Sequence, residues 1–312
     1  MSMTQNVIVI TGPTATGKTA VGVSLALLVD GEVVSADSMQ VYKHMDIGTA
    51  KPTAYEMQGV PHHLMDIVEP WDTYSVARYI ADASRCVDDI LSRNKVPILV
   101  GGTGLYIESL LSGRSFSARG DSDLRMALEG EYDLVGGEEM LKRLFEFDSF
   151  SAQRLYANDK RRIVRAFEVF NVTGKTLSQH DLETKALPPR YTASKVALTY
   201  ENRSVLYEKI ESRVDAMVSS GLEKEVLCLL DMGVAPGTTS MQAIGYKEIV
   251  SAVSGTTKMS DAIDKIKMES RRYAKRQLSW LRRDDNIKWV TWTEQSDVFG
   301  CAQRLAEEYE KK

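Results

Sequence analysis

The segment Gly12-Pro13-Thr14-Ala15-Thr16-Gly17-Lys18-Thr19 constrains this chain more than any other. It reads G-x-x-x-x-G-K-T, follows the run Val7-Ile8-Val9-Ile10, and opens a helical stretch from Lys18 to about Val29. Val and Ile in succession, without polar alternation, are the pattern of a strand covered on both faces. Glycines between such a strand and a helix let backbone N–H groups turn around phosphate oxygens, and the helix N-terminus adds the positive end of its dipole. Lys18 supplies a mobile cation, and Thr19 a hydroxyl suited to Mg2+. The motif specifies a polyphosphate and leaves the reaction open.

The helix is expected to stop at Asp30-Gly31, where glycine offers a left-handed cap. Glu32 to Ser35 reads as a second strand running into Asp37, Ser75 to Arg93 as a helix, and Val96 to Val100 as a third buried strand broken by Gly101-Gly102. Strand and helix in alternation predict an α/β fold, a P-loop NTPase-like parallel sheet flanked by helices. From about Ser115 to Pro189 the pattern turns charged and helical, with no convincing buried strand. An all-helical domain, 115–189, is therefore expected within a catalytic core made of 1–114 and 190–312. The core resumes with the strand Lys195 to Thr199. Helices are expected near 203–220, 222–232, 242–253 and 260–283, then a strand at Ile287 to Thr291 and a terminal helix.

With 43% apolar and 26% charged residues in a chain of 312, a sizeable core is expected and disorder is not. The net charge of −4 excludes a uniformly basic coat, although not a local basic patch. Val21 to Val29, the longest nearly apolar stretch, is about half of what a spanning helix needs. Met1 to Asn6 lack the features of a secretory signal. Cys86, Cys228 and Cys301 are odd in number and far apart, as expected of a reduced protein without a disulfide frame. A cytoplasmic monomer with no membrane partner is the expectation.

In a parallel sheet, ligands sit beyond the carboxyl ends of the strands. Asp37-Ser38 follow the second strand there and Thr103 the third, and the helix after Lys195–Thr199 carries Arg203 and Arg213. Each residue also has a plain structural use: Asp37 as a cap or an outer magnesium ligand, Thr103 as a cap. A hydrolysing NTPase places an acid at the end of a hydrophobic strand to hold magnesium, whereas Val96–Val100 ends in glycines. The site reads as one that transfers a group.

Two basic stretches interrupt an acidic chain. Asp264 to Arg283 holds eight cations against two acids, with an apolar stripe of Ala274, Leu278 and Leu281 to dock it, and Arg154 to Arg165 holds five cations against one acid. Concentrated positive charge with Tyr273 and Trp280 interleaved suits a nucleic acid, while a solvated helix face laced with ion pairs gives the same sequence pattern. His44, His62, His63 and His180 lack companions at metal-ligand spacing and read as structural.

Taken in order, these motifs resemble the tRNA dimethylallyltransferase family of bacterial type. The matching pieces are the Gly12–Thr19 loop, Asp37-Ser-Met-Gln-Val-Tyr42, Asp46-Ile-Gly-Thr-Ala-Lys-Pro52, Pro61-His-His-Leu-Met-Asp-Ile67 and Gly101-Gly-Thr-Gly-Leu-Tyr106. They continue with Arg161-Arg-Ile-Val-Arg-Ala-Phe-Glu-Val169, Arg213-Val-Asp215, Gln242-Ala-Ile-Gly-Tyr-Lys-Glu248 and Lys275-Arg-Gln-Leu-Ser-Trp-Leu-Arg282. The resemblance implies transfer of a dimethylallyl group from dimethylallyl diphosphate to N6 of the adenosine 3′ of a tRNA anticodon. It implies Asp37 as general base, Thr103 as its partner at the amine, and Lys18, Arg213 and Thr19 with Mg2+ at the diphosphate. It further implies tRNA contacts at Asp37, Ser38, Met39, Gln40, Thr103, Arg125, Asp159, Lys160, Arg161, Arg162, Ile163, Met241, Gln242, Gly245, Tyr246, Lys275, Arg276, Gln277 and Arg282, and a helical domain that meets the anticodon stem-loop. Two other enzymes could use the same cradle: a small-molecule kinase, and an isopentenyltransferase acting on free adenine nucleotides. The basic stretches argue against both.

Overall fold

The structure is a computed structural model and describes residues 6–113, 122–186, 188–293 and 295–311. The expected domain boundary at 114–115 lies outside these residues, as do the first five positions. Two compact units emerge, one formed by Met1–Leu111 with Tyr191–Lys312, the other by Ser112–Arg190.

In chain order the first unit contains β1 (Asn6–Thr11), α1 (Lys18–Leu28), β2 (Gly31–Ser35), α2 (Ala54–Met57), β3 (His62–His63), α3 (Val76–Ser92), β4 (Val96–Val100) and α4 (Gly104–Ser112), whose last residue is assigned to the second unit. The second contains α5 (Ser122–Val135), α6 (Gly137–Phe147), α7 (Ser149–Ala152), α8 (Lys160–Thr173) and α9 (Leu177–Lys185). The first then resumes with β5 (Thr192–Tyr200), α10 (Arg203–Ser219), α11 (Leu222–Asp231), α12 (Tyr246–Val253), α13 (Met259–Leu281), β6 (Lys288–Trp292) and α14 (Val298–Glu310).

The strands form one parallel sheet in the order β3-β2-β4-β1-β5-β6. Successive β1 side chains alternate between its faces, and both faces are buried. Val7 and Val9 join a core with α3, α4, α11 and α12, while Ile8 and Ile10 join a second core under α1 and α14. The crossover from β1 leads toward β2, whereas the strand that follows β4 in the chain, β5, lies on the far side of β1. Chain paths that diverge in this way leave a crevice beyond the carboxyl ends of β1 and β4.

Three local expectations change. Asp30, not glycine, takes the left-handed position after α1 (φ 47°), and Gly31 enters β2, where a Cβ would meet the Val96 carbonyl at 2.8 Å. The sheet gains an edge strand at His62-His63, too short for any periodicity to reveal. The helix expected from 242 begins at Tyr246, because Gly245 (φ 101°) holds its N-terminus and its N–H donates to the Glu248 carboxylate at 2.9 Å.

Below the sheet core, Glu32 is a buried carboxylate on β2 that pairs with Arg93, with His63 at 2.8 Å and with Lys95 at 3.7 Å. The Arg93 guanidinium holds its carboxyl down at about 2, despite burial that acts in the other direction, and His63 adds to the lowering. His63 therefore has a structural partner, as the sequence suggested. Among the described residues, no helix is long and apolar enough to cross a membrane.

The second unit packs Leu144, Ala152 and Ala166 at its centre with Phe147 stacked on Phe170. Its most buried charge is Glu168, whose Oε2 accepts from Arg125 at 2.8 Å and from Arg165 at 2.9 Å.

Candidate functional site

The loop between β1 and α1 is a cradle whose carbonyls are held from outside. Thr16 Oγ1 and Lys18 Nζ each donate to the Pro13 carbonyl at 2.8 Å, Tyr200 donates to the Ala15 carbonyl at 3.3 Å, and Trp292 Nε1 donates to the Thr16 carbonyl at 2.8 Å. Gln277 completes the frame by accepting the Thr14 N–H at 3.0 Å while its amide donates to the Gly102 carbonyl at 3.0 Å. With the peptide planes fixed, the N–H groups of Ala15 to Thr19 have no protein acceptor among the described residues. Unpartnered amides at a helix N-terminus are donors in search of an anion. Gly12 is required where the cradle begins: at φ 141° its Cβ would lie 2.4 Å from the Leu198 carbonyl oxygen.

The cradle forms one wall of a crevice of about 690 Å3. Asp37, Ser38, Met39 and Gln40 line it, as do Arg213, Gln242, Gly245, Arg276 and Gln277. Apolar groups from Ala50, Pro52, Met65, Ile210, Val214 and Met217 share the same space.

Lys18, Arg213, Lys247 and Arg276 are the cations lining this crevice, and among the described residues neither Lys18 nor Arg213 has a carboxylate in ion-pair contact. Lys18 is pushed down to about 7, first by desolvation and then by Arg213, with Asp37 acting in the opposite sense. Burial lowers Arg213 as well, while Asp37 and Glu56 pull it back. Two cations, each lowered first by burial and without an ion-paired carboxylate among the described residues, suit a polyanion.

Asp37 divides its two oxygens. Oδ1 accepts the N–H of Met39 at 2.9 Å and of Gln40 at 3.4 Å, the capping role foreseen as the plain reading. Oδ2 takes no hydrogen bond among the described residues. The carboxylate is thus oriented through one oxygen and open through the other.

Thr103 sits behind this carboxylate and is not among the residues lining the crevice. Its Oγ1 accepts the Ser38 N–H at 3.1 Å, and its N–H donates to the Ala36 carbonyl at 3.0 Å. It thereby ties the turn after β4 to the turn after β2. Tyr273, from the basic helix α13, does line the crevice. Burial, with Asp37 adding to it, pushes its phenol up to about 12 and keeps it protonated near neutrality.

Several expected contacts find other uses. Arg203 is exposed, donates to the Tyr207 hydroxyl at 2.6 Å and does not reach the crevice. Ile163, Met241 and Tyr246 are fully buried, so their side chains pack the cores and cannot touch an RNA. Gln277 is buried also, and its amide is spent on the cradle. Lys275 and Arg276 on α13 and Arg282 just after it stay exposed, with Arg276 over the Tyr273 ring at 5.7 Å. In contrast, Lys267 pairs with Asp215, Arg271 with Glu211 and Arg272 with Glu269, so three of the eight cations belong to the ion-paired face that charge alone also allowed.

In the second unit Asp159 Oδ2 accepts the Tyr156 N–H at 3.0 Å, and Lys160 pairs with Asp133 at 2.6 Å. Arg125 is half-exposed while it pairs with Glu168. Arg161 and Arg162 are exposed and make no ion pair among the described residues. The role of Gln277 as a brace of the site has no signal in the sequence, because it lies within a stretch whose charge dominates any reading of it.

For magnesium the donor set fits in one respect: Thr19 offers a hard hydroxyl oxygen at the crevice, and Mg2+ commonly takes one or two protein oxygens with the rest from phosphate and water. Among the described residues no group of three His, Cys, Asp or Glu could hold a metal on its own.

Residues 40–284 match the family model described as IPP transferase, and residues 5–67 match that of isopentenyl transferase. A tRNA dimethylallyltransferase of Desulforudis audaxviator is 45% identical over 312 residues, the full length of both chains. One from Caldanaerobacter subterraneus is 46% identical, covering 92% of each. Among solved structures, the full-length tRNA isopentenylpyrophosphate transferase of Bacillus halodurans is 39% identical with a TM-score of 0.73, covering 98% of this chain and 97% of its own. A eukaryotic dimethylallyltransferase acting on tRNA is 28% identical with a TM-score of 0.82, covering 98% and 78%.

Proposed function

Because the chain belongs to the tRNA dimethylallyltransferase family, we propose that it transfers the dimethylallyl group of dimethylallyl diphosphate to N6 of the adenosine 3′ of tRNA anticodons, releasing diphosphate. The observation that carries this reading is the pairing of an uncompensated cationic cradle, Lys18 with Arg213, with the open Oδ2 of Asp37 in one crevice.

Adenine N6 is a weak nucleophile because its lone pair is delocalised into the ring. Asp37 Oδ2 accepts the N6 proton as the new N6–carbon bond forms, and the allylic carbon–oxygen bond breaks with its electron pair leaving on diphosphate. Charge growing on that leaving group meets the Ala15–Thr19 amides, Lys18 and Arg213. The Thr19 hydroxyl would hold Mg2+ at the diphosphate, where the ion supplies further charge neutralisation. Ala50, Pro52, Met65 and Met217 give the hydrocarbon a surface that excludes water from the reacting carbon. Ser38 and Gln242 offer polar edges to the base, and an anticodon-loop adenosine reaches them only when turned out of its stack.

Incubation with tRNA, Mg2+ and dimethylallyl diphosphate, followed by mass spectrometry of the nucleosides, tests this reading. One five-carbon unit gained on adenosine is the expected product. Transfer to free AMP with none to tRNA, or tRNA-independent release of ADP from ATP, would refute it.

A further inference from the structure

Glu225, on α11, lies outside every motif considered so far, yet its carboxylate is the most heavily occupied acceptor near the crevice. Oε2 accepts the N–H of Asp46 at 2.9 Å and of Ile47 at 2.7 Å, and Oε1 accepts the N–H of Gly48 at 3.0 Å and the hydroxyl of Tyr246 at 2.6 Å. Three consecutive amides converging on one carboxylate form a nest, the arrangement backbone uses to hold an anion. Here the chain fills the nest with its own acid.

The captured segment leads directly into a wall of the crevice. Gly48, Thr49, Ala50 and Pro52 all line it. Ala50 sits at φ 46°, a conformation that L residues adopt only when their surroundings fix it. Gln40 holds the same segment from another direction by donating to the carbonyls of Thr49 and Ala50, each at 3.3 Å. Gly48 lies flat on the Tyr246 ring, where a Cβ would come within 2.5 Å, so the loop closes on that ring only because position 48 is glycine. Tyr246 begins α12 directly after Gln242 and Gly245, which also line the crevice. Burial first, and then the Glu225 carboxylate itself, raise the Tyr246 phenol and keep it a donor.

We infer that Glu225 is a positioning residue of the prenyl-transfer site: it clamps the Asp46–Gly48 amides to Tyr246 and so sets the apolar wall against which the dimethylallyl chain lies. The inference rests on the proposed reaction for its kinetic readout but not for its structural one. The cradle itself bonds to none of these groups, so binding of diphosphate alone should not depend on them.

Glu225→Gln turns one acceptor oxygen into a donor facing N–H or O–H groups. The expected result is a KM for dimethylallyl diphosphate raised about tenfold, with the inhibition constant of inorganic diphosphate within twofold of wild type. Amide hydrogen exchange over 45–50 should accelerate at least tenfold in the same variant, measured well below its melting temperature. Tyr246→Phe removes one of the four bonds and should raise the same KM two- to fourfold, which keeps the test open if Glu225→Gln does not fold. An unchanged donor KM in a folded variant overturns the inference. Equal weakening of inorganic diphosphate overturns it too, since the loop would then act through the cradle. Wild-type protein that transfers no prenyl group would instead refute the proposed reaction, leaving the exchange measurement to decide the clamp.

Discussion

The cradle and the helical unit both carry donors suited to phosphate, and they present them by opposite means. In the cradle the donors are backbone amides, immobile because Gln277, Tyr200 and Trp292 hold their peptide planes from behind. In the helical unit the donors are long side chains on helix surfaces: Arg161 and Arg162 exposed, Lys160 partnered by Asp133, and Arg125 with Arg165 gathered on Glu168. Fixed dipoles cost no reorganisation as charge develops on a leaving group, and that suits chemistry. Mobile cations follow a polymer backbone and exchange its counter-ions, and that suits binding. The difference teaches where each kind of damage should appear: in kcat or donor affinity for one region, in tRNA affinity for the other.

The largest effect is expected at Asp37, where both requirements meet. Asp37→Asn keeps an oxygen for the Met39 and Gln40 amides but offers no base, so kcat should fall about 10^2- to 10^4-fold. Affinity for tRNA, measured by filter binding, should stay within about threefold. Turnover near the wild-type value would show that Oδ2 is not the proton acceptor and would remove the chemical half of the comparison.

Gln277 comes next because it separates framing from contact. Gln277→Ala leaves the Thr14 N–H and the Gly102 carbonyl without their partner, a loss of about 1–3 kcal/mol for a buried group. If the cradle is its only duty, kcat/KM for dimethylallyl diphosphate drops roughly tenfold and inorganic diphosphate binds correspondingly more weakly. An effect confined to tRNA affinity would return Gln277 to the RNA-contact set.

These two residues also show what could be read before the fold was known. The cradle was legible because its chemistry belongs to the backbone, and backbone geometry is written in glycines between a strand pattern and a helix pattern. Asp37 was legible through its place at the end of a strand. Gln277 and Glu225 were not, because a single polar residue on an amphipathic helix is indistinguishable from surface until the partner is known, and the backbone groups they hold lie 175 and 263 residues away for Gln277 and 177–179 for Glu225. The basic stretches were legible as charge, though not as function. On α13, Lys267, Arg271 and Arg272 turn out to be neutralised by acids on α10 or on α13 itself, while Arg276 alone among its cations lines the crevice. Sequence counts charges, but only packing shows which of them remain unpaired. The buried Ile163, Met241 and Tyr246 make the same point for apolar residues inside motifs, whose persistence in a pattern reflects the core as readily as the ligand.

The smallest effect is expected in the helical unit, and it is the most discriminating. Arg161 and Arg162 open α8 side by side, are exposed, and take no acid partner among the described residues. Each therefore meets a phosphate without first breaking an ion pair, whereas Lys160 must give up Asp133 and Arg165 must give up Glu168. Replacing both by alanine should weaken tRNA binding about five- to tenfold at low salt. It should also flatten the log–log salt dependence by roughly one to two units, because each phosphate contact contributes about 0.7–0.9 to that slope. Removing two exposed cations takes nothing from the Leu144–Ala166 core, so the melting temperature and the KM for dimethylallyl diphosphate should not move. The control is Lys160→Ala, whose charge is already compensated and whose effect on the slope should be less than half as large per residue. Equal slopes for the paired and unpaired cations would mean that tRNA reads total charge rather than its availability, and the contrast between the two regions would lose its physical basis.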